Sequence, residues 1–181
     1  MKIPKMLLPF RGKTIIEKVI ENVIESKTDK TVVVLGSDKD KILKVTEHLP
    51  VMHCYNEYYK QGMLSSVICG FRSLPEKFRA ALVMLGDQPG IGSDIINEVI
   101  DAFRRSGKGI TIPVFKNKHG HPLLIDAKYR NEIENLDPDK GLRSLYRKFT
   151  DDVFEVEINN PTILKDIDTP EDYNNELNQI Y

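Results

Sequence analysis

The sequence predicts a three-layer α/β domain with a mostly parallel sheet. Short continuous apolar runs alternate with segments of helical periodicity, and the helical segments carry recognisable start and stop signals. No internal repeat, low-complexity segment or linker interrupts the 181 residues. In such a sheet ligands bind outside the carboxyl ends of the strands, so polar residues that directly follow a strand are the first candidates for a functional site.

The helices are predicted from apolar residues that recur at i, i+3 and i+4. In residues 14–26 this spacing follows Thr14 and Glu17, which together form the capping box of a helix start. Gly107 is expected to end the amphipathic helix at residues 93–106. Further helices are predicted at residues 38–48, 62–74, 128–135, 141–149 and 169–178.

The strands are predicted from short runs rich in β-branched residues. Apart from Thr31, residues 31–35 and 80–85 are apolar, which is the pattern of strands buried on both faces. We expect these two runs and residues 109–115 to lie in one sheet with helices on both faces. Other strands are predicted at residues 51–54, 122–125 and 153–158.

Composition excludes several classes of protein. Hydrophobic residues make up 40% and charged residues 29%, which is typical of a globular domain and not of a disordered chain. The formal net charge of −1 lacks the basic excess of a nucleic-acid binder. No apolar stretch approaches the ~20 residues of a membrane helix or resembles a signal peptide. We therefore expect one cytoplasmic domain, residues 1–181, with no nucleic-acid or membrane partner.

The two cysteines, Cys54 and Cys69, lie fifteen positions apart. This spacing forms neither a zinc pattern nor a disulfide framework. Both are expected to be small buried hydrophobic residues in a reducing compartment.

The first candidate site is the sequence G-D-Q-P at residues 86–89, which directly follows a predicted buried strand. Gly86 permits a close approach to the main chain. Asp87 supplies a carboxylate of the kind that binds Mg²⁺, which typically takes one or two protein carboxylates and fills its other positions with phosphate and water. The alternative is an ordinary turn, because Gly, Asp and Pro are all turn residues.

The second candidate is the acidic segment at residues 166–172. Thr169 as N-cap, Pro170 at the first helical position and Asp172 at the third together explain a helix start. The cap does not require Asp168, whose carboxylate would complete a magnesium site beside Asp87. The alternative is that the whole segment is structural.

Three weaker candidates carry polar groups suited to phosphate or substrate. The ammonium of Lys5 lies in an apolar segment that would aim it at phosphates, although a lysine near a terminus is usually solvated. Gly62, Ser65 and Ser66 offer donors at a helix start, where an ordinary cap is equally consistent. In the sequence H-G-H-P at residues 119–122, no third metal ligand is in register, so we expect a turn that presents one histidine to a substrate.

Taken together, these segments resemble the MobA-like nucleotidyltransferases, which attach a nucleotide to molybdopterin, and especially their cytidylyl-transferring branch. The resemblance spans nearly the whole chain. It rests on K-M-L-L-P-F with G-K-T at residues 5–14, G-M-L-S-S at 62–66, L-G-D-Q-P at 85–89, G-H-P at 120–122 and D-I-D-T-P-E-D-Y at 166–173.

The resemblance implies a Rossmann-like nucleotidyltransferase fold, of the nucleotide-diphospho-sugar transferase type, and an Mg²⁺-dependent in-line transfer. An acceptor phosphate, such as that of molybdopterin, would attack the α-phosphorus of a nucleoside triphosphate, with CTP favoured by Gln88. It further implies a link to molybdoenzyme maturation. By position Lys5, Asp87 and Asp168 would be catalytic, and the two aspartates would hold the metal. The implied nucleotide-binding residues are Lys5, Gly62, Ser65, Ser66, Gly86 and Asp87, and the implied acceptor-binding residues are Gly120, His121 and Pro122.

The sequence departs from the family at its start. The family opens with a buried strand and a Gly-rich loop of the form L-A-A-G-x-S-x-R-M-G, and Met1 falls where the Met of that loop would lie. The resemblance therefore implies that the first strand and the phosphate loop are missing, through either an upstream start or degeneration. We expect weak or no transfer from the chain as given. The alternatives are a non-catalytic accessory protein for molybdoenzyme maturation and a flavodoxin-like or receiver-type domain, which would need an acidic cluster after the first strand.

Overall fold

A computed structural model describes residues 4–178. Every predicted helix is present, with bounds that differ by a few residues. None of the helices between residues 4 and 178 is long and apolar enough to cross a membrane. They are α1 (Ile15–Ile24), α2 (Lys39–Thr46), α3 (Met63–Ser73), α4 (Ser93–Ser106), α5 (Arg130–Glu134), α6 (Arg143–Lys148) and α7 (Pro170–Asn178).

The predicted strands are also present, together with three two-residue strands that the apolar pattern does not indicate. The start of α1 confirms the predicted capping box, since Thr14 and Glu17 exchange hydrogen bonds. The strands are β1 (Pro9–Phe10), β2 (Lys13–Thr14), β3 (Val32–Leu35), β4 (Met52–Tyr55), β5 (Ala80–Val83), β6 (Ile110–Phe115), β7 (Lys118–His119), β8 (Leu123–Asp126) and β9 (Val153–Glu157).

The strands form three sheets. β1 and β2 make an antiparallel pair, β3 and β4 make a parallel pair, and the largest sheet has the order β5-β8-β6-β7, with β9 parallel to β6. The fold class is confirmed as α/β, but the large sheet is mixed, because β8 runs antiparallel to both β5 and β6. The reversal follows from a tight turn at Lys116 and Asn117, both with positive φ, which sends the chain back beside β6.

The expectation that residues 31–35, 80–85 and 109–115 share one sheet is wrong for the first of them. Among the described residues, β3 pairs only with β4, and β5 pairs only with β8. Consecutive residues of both β3 and β5 line a cleft of about 880 Å³. The free edges of the two strands therefore face this cleft and do not pair with each other.

Helices cover both faces of the large sheet, as expected. Leu124 of β8 packs in a cluster with the apolar face of α4, whereas its neighbours Leu123 and Ile125 pack with residues of α3, α5 and α6. This alternation is the two-residue period of a strand buried on both sides. The result is the predicted three-layer arrangement.

Candidate active site

A main-chain hydrogen bond joins two distant segments of the chain at one end of β5. The N–H of Ile167 donates to the carbonyl oxygen of Asp87 at 3.1 Å. The side chain of Ile167 is buried with Phe10 and Ile15, which fixes the segment before α7 against the start of the chain. Asp87, which follows β5, and Asp168, which precedes α7, are thereby brought together.

Lys5 lies between these two aspartates. Its Nζ donates to Asp87 Oδ2 at 2.7 Å and to Asp168 Oδ1 at 2.8 Å. The two carboxylates therefore lie well within the separation of roughly 10 Å beyond which one hydrated ion could not bridge them. The expected adjacency of Asp87 and Asp168 is confirmed, and Lys5 joins them.

Gly86 has a packing role against α1. A Cβ atom on Gly86 would lie 3.1 Å from Cδ1 of Ile16 and 3.5 Å from Sδ of Met6, which is tight for the first contact. Met6 adjoins Lys5 in a short 3₁₀ helix, Lys5–Leu7. The close approach predicted for Gly86 is therefore made by Ile16 of α1, whereas Met6, next to Lys5, is in ordinary van der Waals contact.

The site carries an excess of negative charge. Burial by itself would lower the pKa of Lys5, but hydrogen bonds to Asp168 and Asp87 outweigh it and raise that pKa above its usual value. Burial also raises the pKa of Asp166, as do the charges of Asp87 and Asp168, and Gln88 Nε2 donates to Asp166 Oδ1 at 2.5 Å. One ammonium faces two carboxylates here, an imbalance that favours a further cation.

The donor set suits a hydrated divalent ion. Asp87 and Asp168 offer carboxylate oxygens, the ligands that Mg²⁺ and similar hard cations prefer. Within residues 4–178, no group of three or more His, Cys, Asp and Glu side chains is arranged to hold a metal. A hard cation at the two aspartates would therefore need phosphate and water to complete its coordination.

Sequence reasoning missed Asn22, which fixes the loop after Asp87. Its side chain is only 3% exposed and lies on α1 among apolar residues. Its Nδ2 donates to the carbonyl oxygens of Pro89 at 3.0 Å and Ile91 at 2.9 Å. An asparagine within the apolar stripe of a helix was the available signal, because a buried amide needs partners.

The predicted residues at the start of α3 have different positions. Ser66 lines the large cleft together with Gly86 and Asp87, whereas Ser65 borders a smaller cavity of about 410 Å³. Gly62 has a φ of +95°, a region that favours glycine. The Oγ of Ser65 lies 2.8 Å from the carbonyl oxygen of Gly62, so this hydroxyl has a partner within the protein.

Asn56, which directly follows β4, was also missed. It is 3% exposed, and its Nδ2 donates to Ser65 Oγ at 2.8 Å and to Ser66 Oγ at 3.0 Å. A polar residue immediately after a strand was the available signal. Asn56 therefore sets the orientation of both predicted serine hydroxyls.

The G-H-P segment is held against the 3₁₀ turn Pro161–Leu164. The N–H of His121 donates to the carbonyl oxygen of Ile163 at 2.9 Å, and a Cβ on Gly120 would lie only 2.4 Å from that oxygen. Gly120 and Pro122 are buried. Burial lowers the pKa of His121, although the charges of Asp166 and Asp87 act on its ring in the opposite direction.

His119 has a separate environment. Its Nε2 lies 2.6 Å from Glu155 Oε1, and its ring meets the Tyr146 ring edge-on at a centroid distance of 5.5 Å. His121 is instead close enough to Asp87 for their charges to interact. The structure thus places one histidine of the segment, His121, near Asp87. That this histidine is presented to a substrate stays a prediction.

Comparisons with known proteins identify relatives in sequence and in fold. The chain is 27% identical over 176 residues to nicotine blue oxidoreductase of Paenarthrobacter nicotinovorans, covering 93% of this chain and 85% of that protein. It is 25% identical over 171 residues to molybdenum cofactor cytidylyltransferase of Escherichia coli (strain K12), covering 93% and 84%. In fold it is similar to Rv0371c of Mycobacterium tuberculosis H37Rv, determined in complex with manganese, with a TM-score of 0.83, 22% identity, and coverage of 98% and 92%.

The model of one family, the MobA-like NTP transferase domain, matches residues 1–153. The matched range includes Lys5 and Asp87. The chain therefore belongs to the MobA-like NTP transferase family and is a transferase of the nucleotidyltransferase type.

Proposed function

We propose that this chain transfers a nucleoside monophosphate, with CTP as the favoured donor, to a phosphate-bearing acceptor such as molybdopterin. The observation that supports it most directly is the contact of Lys5 with both Asp87 and Asp168, at 2.7 and 2.8 Å. Of these three residues, Asp87 lines the large cleft, together with Ser66 and Gly86. The preference for CTP rests on Gln88 beside Asp87 and on the similarity to a cytidylyltransferase.

The reaction is a single displacement at phosphorus. An oxygen of the acceptor phosphate forms a bond to the α-phosphorus, the bond from that phosphorus to the bridging oxygen breaks, and pyrophosphate leaves with the electron pair. Such a transfer depends on positioning and on neutralisation of charge. The site provides both without a covalent nucleophile.

Asp87 and Asp168 are the proposed metal ligands, and Mg²⁺ is the proposed ion. When bound, the ion would neutralise charge on the phosphates. The cation and Lys5 would then share the two carboxylates. The ammonium of Lys5 would be directed to the phosphates. Manganese, which accompanies the similar Mycobacterium structure, has the same preference for oxygen ligands.

The nucleotide would lie along the cleft, between the aspartates and the start of α3. Asn56 holds the hydroxyls of both Ser65 and Ser66, and of these two serines Ser66 lines the cleft. Rigid donors suit recognition of a base, because little freedom is lost on binding. The proposed nucleotide-binding residues are Lys5, Gly62, Ser65, Ser66, Gly86 and Asp87.

The acceptor would be bound on the side of His121. Its lowered pKa keeps the imidazole neutral near pH 7, so one ring nitrogen can donate a hydrogen bond and the other can accept one. Gly120 and Pro122 would act by shaping the turn that holds the ring. We propose these three residues, Gly120, His121 and Pro122, as the acceptor site.

We further propose that residues 1–181 act as one domain in the cytoplasm, with a molybdoenzyme as the recipient of the product. The C-terminal part is tied to the rest by the burial of Ile167 against Phe10 and Ile15. That part contributes Asp168 to the site. Residues beyond the family match are therefore needed for the proposed chemistry.

A second candidate function is that of an accessory or binding protein for molybdoenzyme maturation, with impaired catalysis. The open cleft between β3 and β5 favours it, because both strand edges there lack pairing partners among residues 4–178. Binding without turnover would distinguish this function from the first.

The test is pyrophosphate release with molybdopterin as acceptor, comparing CTP, GTP, ATP and UTP with Mg²⁺ or Mn²⁺. A thermal-shift series with the same nucleotides reports binding separately, because a ligand that binds only the folded state raises apparent stability. We expect CTP to give the largest shift and the fastest release. Shifts without release would favour the accessory function, and neither response with any nucleotide would contradict both.

A further inference from the structure

The two cysteines contact each other between a strand and a helix. Cys54 lies in β4 and Cys69 in α3, and the thiol of Cys69 donates to Cys54 Sγ across 3.6 Å. Both are free thiols. A disulfide has an S–S distance of about 2.05 Å, so a further approach of about 1.5 Å would suffice for a bond.

Both thiols are accessible from one cavity. Contrary to the expectation from sequence, Cys54 and Cys69 are half-buried. With Tyr58, Gln61 and Arg72 they line an open cavity of about 410 Å³. A small disulfide such as oxidised glutathione carries carboxylates. The exposed Arg72 beside the thiols, which also pairs with Glu134 at 3.3 Å, carries the complementary charge.

We propose that Cys54 and Cys69 are a reversible dithiol–disulfide site that is oxidised by low-molecular-weight disulfides. The site is independent of the proposed transfer reaction. It would link β4 to α3 through a covalent bond between residues fifteen positions apart. The bond would attach to the middle of α3, and Ser65 in the first turn of the same helix borders the same cavity.

The contact geometry assigns different roles to the two thiols. Burial and the hydrogen bond with Cys54 raise the pKa of Cys69 to about 11, so Cys69 keeps its proton. That proton is directed at Cys54 Sγ, and the nucleophile in disulfide exchange is a thiolate. Cys54 is therefore the attacking residue and Cys69 the resolving residue.

The exchange balances in two steps. The Cys54 thiolate attacks one sulfur of oxidised glutathione, which forms a mixed disulfide and releases one glutathione thiolate. Cys69 then loses its proton to solvent and attacks Cys54 Sγ, which releases the second glutathione. Two protein thiols are oxidised and one glutathione disulfide is reduced to two thiols.

The test uses the reduced, full-length protein with oxidised glutathione, followed by alkylation and intact-mass analysis. We expect the wild-type protein to lose both alkylatable thiols without retaining glutathione, and dithiothreitol to restore both. Cys69→Ser should stop at a glutathione adduct on Cys54. Cys54→Ser should acquire an adduct at least about tenfold more slowly, because Cys69 holds its proton.

Thermal unfolding gives a second readout. Closing a loop of this size restricts the unfolded chain, so the oxidised wild-type protein should unfold several degrees above the reduced form. The Cys54→Ser/Cys69→Ser double variant should show no such shift. Two thiols that remain alkylatable in the wild type, or equal rates of adduct formation in the two single variants, would overturn the proposal.

Discussion

The N–H of Ile167 donates to the carbonyl oxygen of Asp87 at 3.1 Å, across eighty positions of sequence. Because Asp168 directly follows Ile167, this one hydrogen bond places its carboxylate beside that of Asp87. Lys5 Nζ then contacts both carboxylates. The candidate site thus depends on a main-chain contact, which a change of side chain at Asp87 or Asp168 leaves in place.

Asparagine at either aspartate should remove activity without unfolding the protein. Asp87→Asn and Asp168→Asn each delete one charge next to Lys5 while keeping the side-chain shape. The loss of one preorganised electrostatic partner costs about 10²–10³ in rate in other enzymes. Pyrophosphate release over a range of Mg²⁺ concentrations measures this loss. The exposed Asp139→Asn is the matched control, and unchanged turnover and Mg²⁺ requirement in Asp87→Asn would contradict the proposal.

Asn22→Ala should destabilise the protein and disturb the loop beside Asp87. The change leaves the carbonyl oxygens of Pro89 and Ile91 without their buried donor. Each unsatisfied group costs about 1–3 kcal/mol, which predicts a Tm lower by several degrees. Calorimetry checks the shift, with the exposed Asn131→Ala as control. Equal Tm values for the two variants would show that the amide does not hold the loop.

Gly120→Ser should lower the free energy of unfolding, and Gly92→Ser should leave it nearly unchanged. The new Cβ at position 120 would meet the main-chain oxygen of Ile163 at 2.4 Å, whereas at position 92 it would meet the movable carboxylate of Asp94 at 2.5 Å. Forced displacement of packed backbone costs about 1–3 kcal/mol. Urea unfolding of both variants measures the difference in stability. Comparable midpoints would mean that the backbone at Gly120 can shift at little energetic cost.

Stability should depend on Asp152 in a pH-sensitive way. Burial disfavours its charge, but hydrogen bonds from Lys128 and Tyr129 outweigh burial and lower its pKa below 3.8. A lowered carboxyl pKa stabilises the folded state above pH 3.8 and loses that effect as the pH falls through the folded value. Asp152→Asn should therefore lower the free energy of unfolding by about 1–3 kcal/mol at pH 7.

Urea unfolding repeated at pH values falling below 3.8 tests this prediction. The difference in free energy of unfolding between wild type and Asp152→Asn should shrink over this series, because protonation removes the charge that the variant lacks. The neighbouring exposed Asp151→Asn should show little difference at any pH. A constant difference between wild type and Asp152→Asn across the series would show that the charge of Asp152 has no part in its effect.

Filling the cleft between β3 and β5 should stabilise the fold and raise activity. A chain extended before Met1 by an apolar strand and the segment L-A-A-G-x-S-x-R would offer main-chain partners to both free edges and N–H groups to the phosphates. We expect a higher Tm and faster pyrophosphate release than from the 181-residue chain. The same extension with proline at alternate strand positions is the control, and equal, robust turnover by the extended and original chains would refute the idea.

The local structure could be predicted because its signals lie close together in sequence. The capping box of Thr14 and Glu17 formed as expected, and Gly107 ends α4 in a left-handed conformation with φ of +65°. The helices and long strands follow from periodicity for the same reason. The motifs at Lys5, Asp87 and Asp168 were identified by residue type and by their positions beside element ends.

The order of the strands could not be predicted this way, because neighbours in a sheet are chosen by packing between distant segments. β8 reverses after the turn at Lys116 and enters between β5 and β6, which makes the sheet mixed. The hydrogen bonds of Asn22 and Asn56 could not be predicted for the same reason, because each joins residues that only the folded chain brings together.

The sequence by itself determined the α/β class, the family resemblance and the identity of the charged residues near the site. The tertiary structure decided that Lys5, Asp87 and Asp168 meet at one point, and that Cys54 and Cys69 are in contact. The physical reason is the distance along the sequence over which each interaction acts. Periodicity and capping act within a few residues, whereas charges and thiols from distant segments meet only after apolar burial has fixed the layers around them.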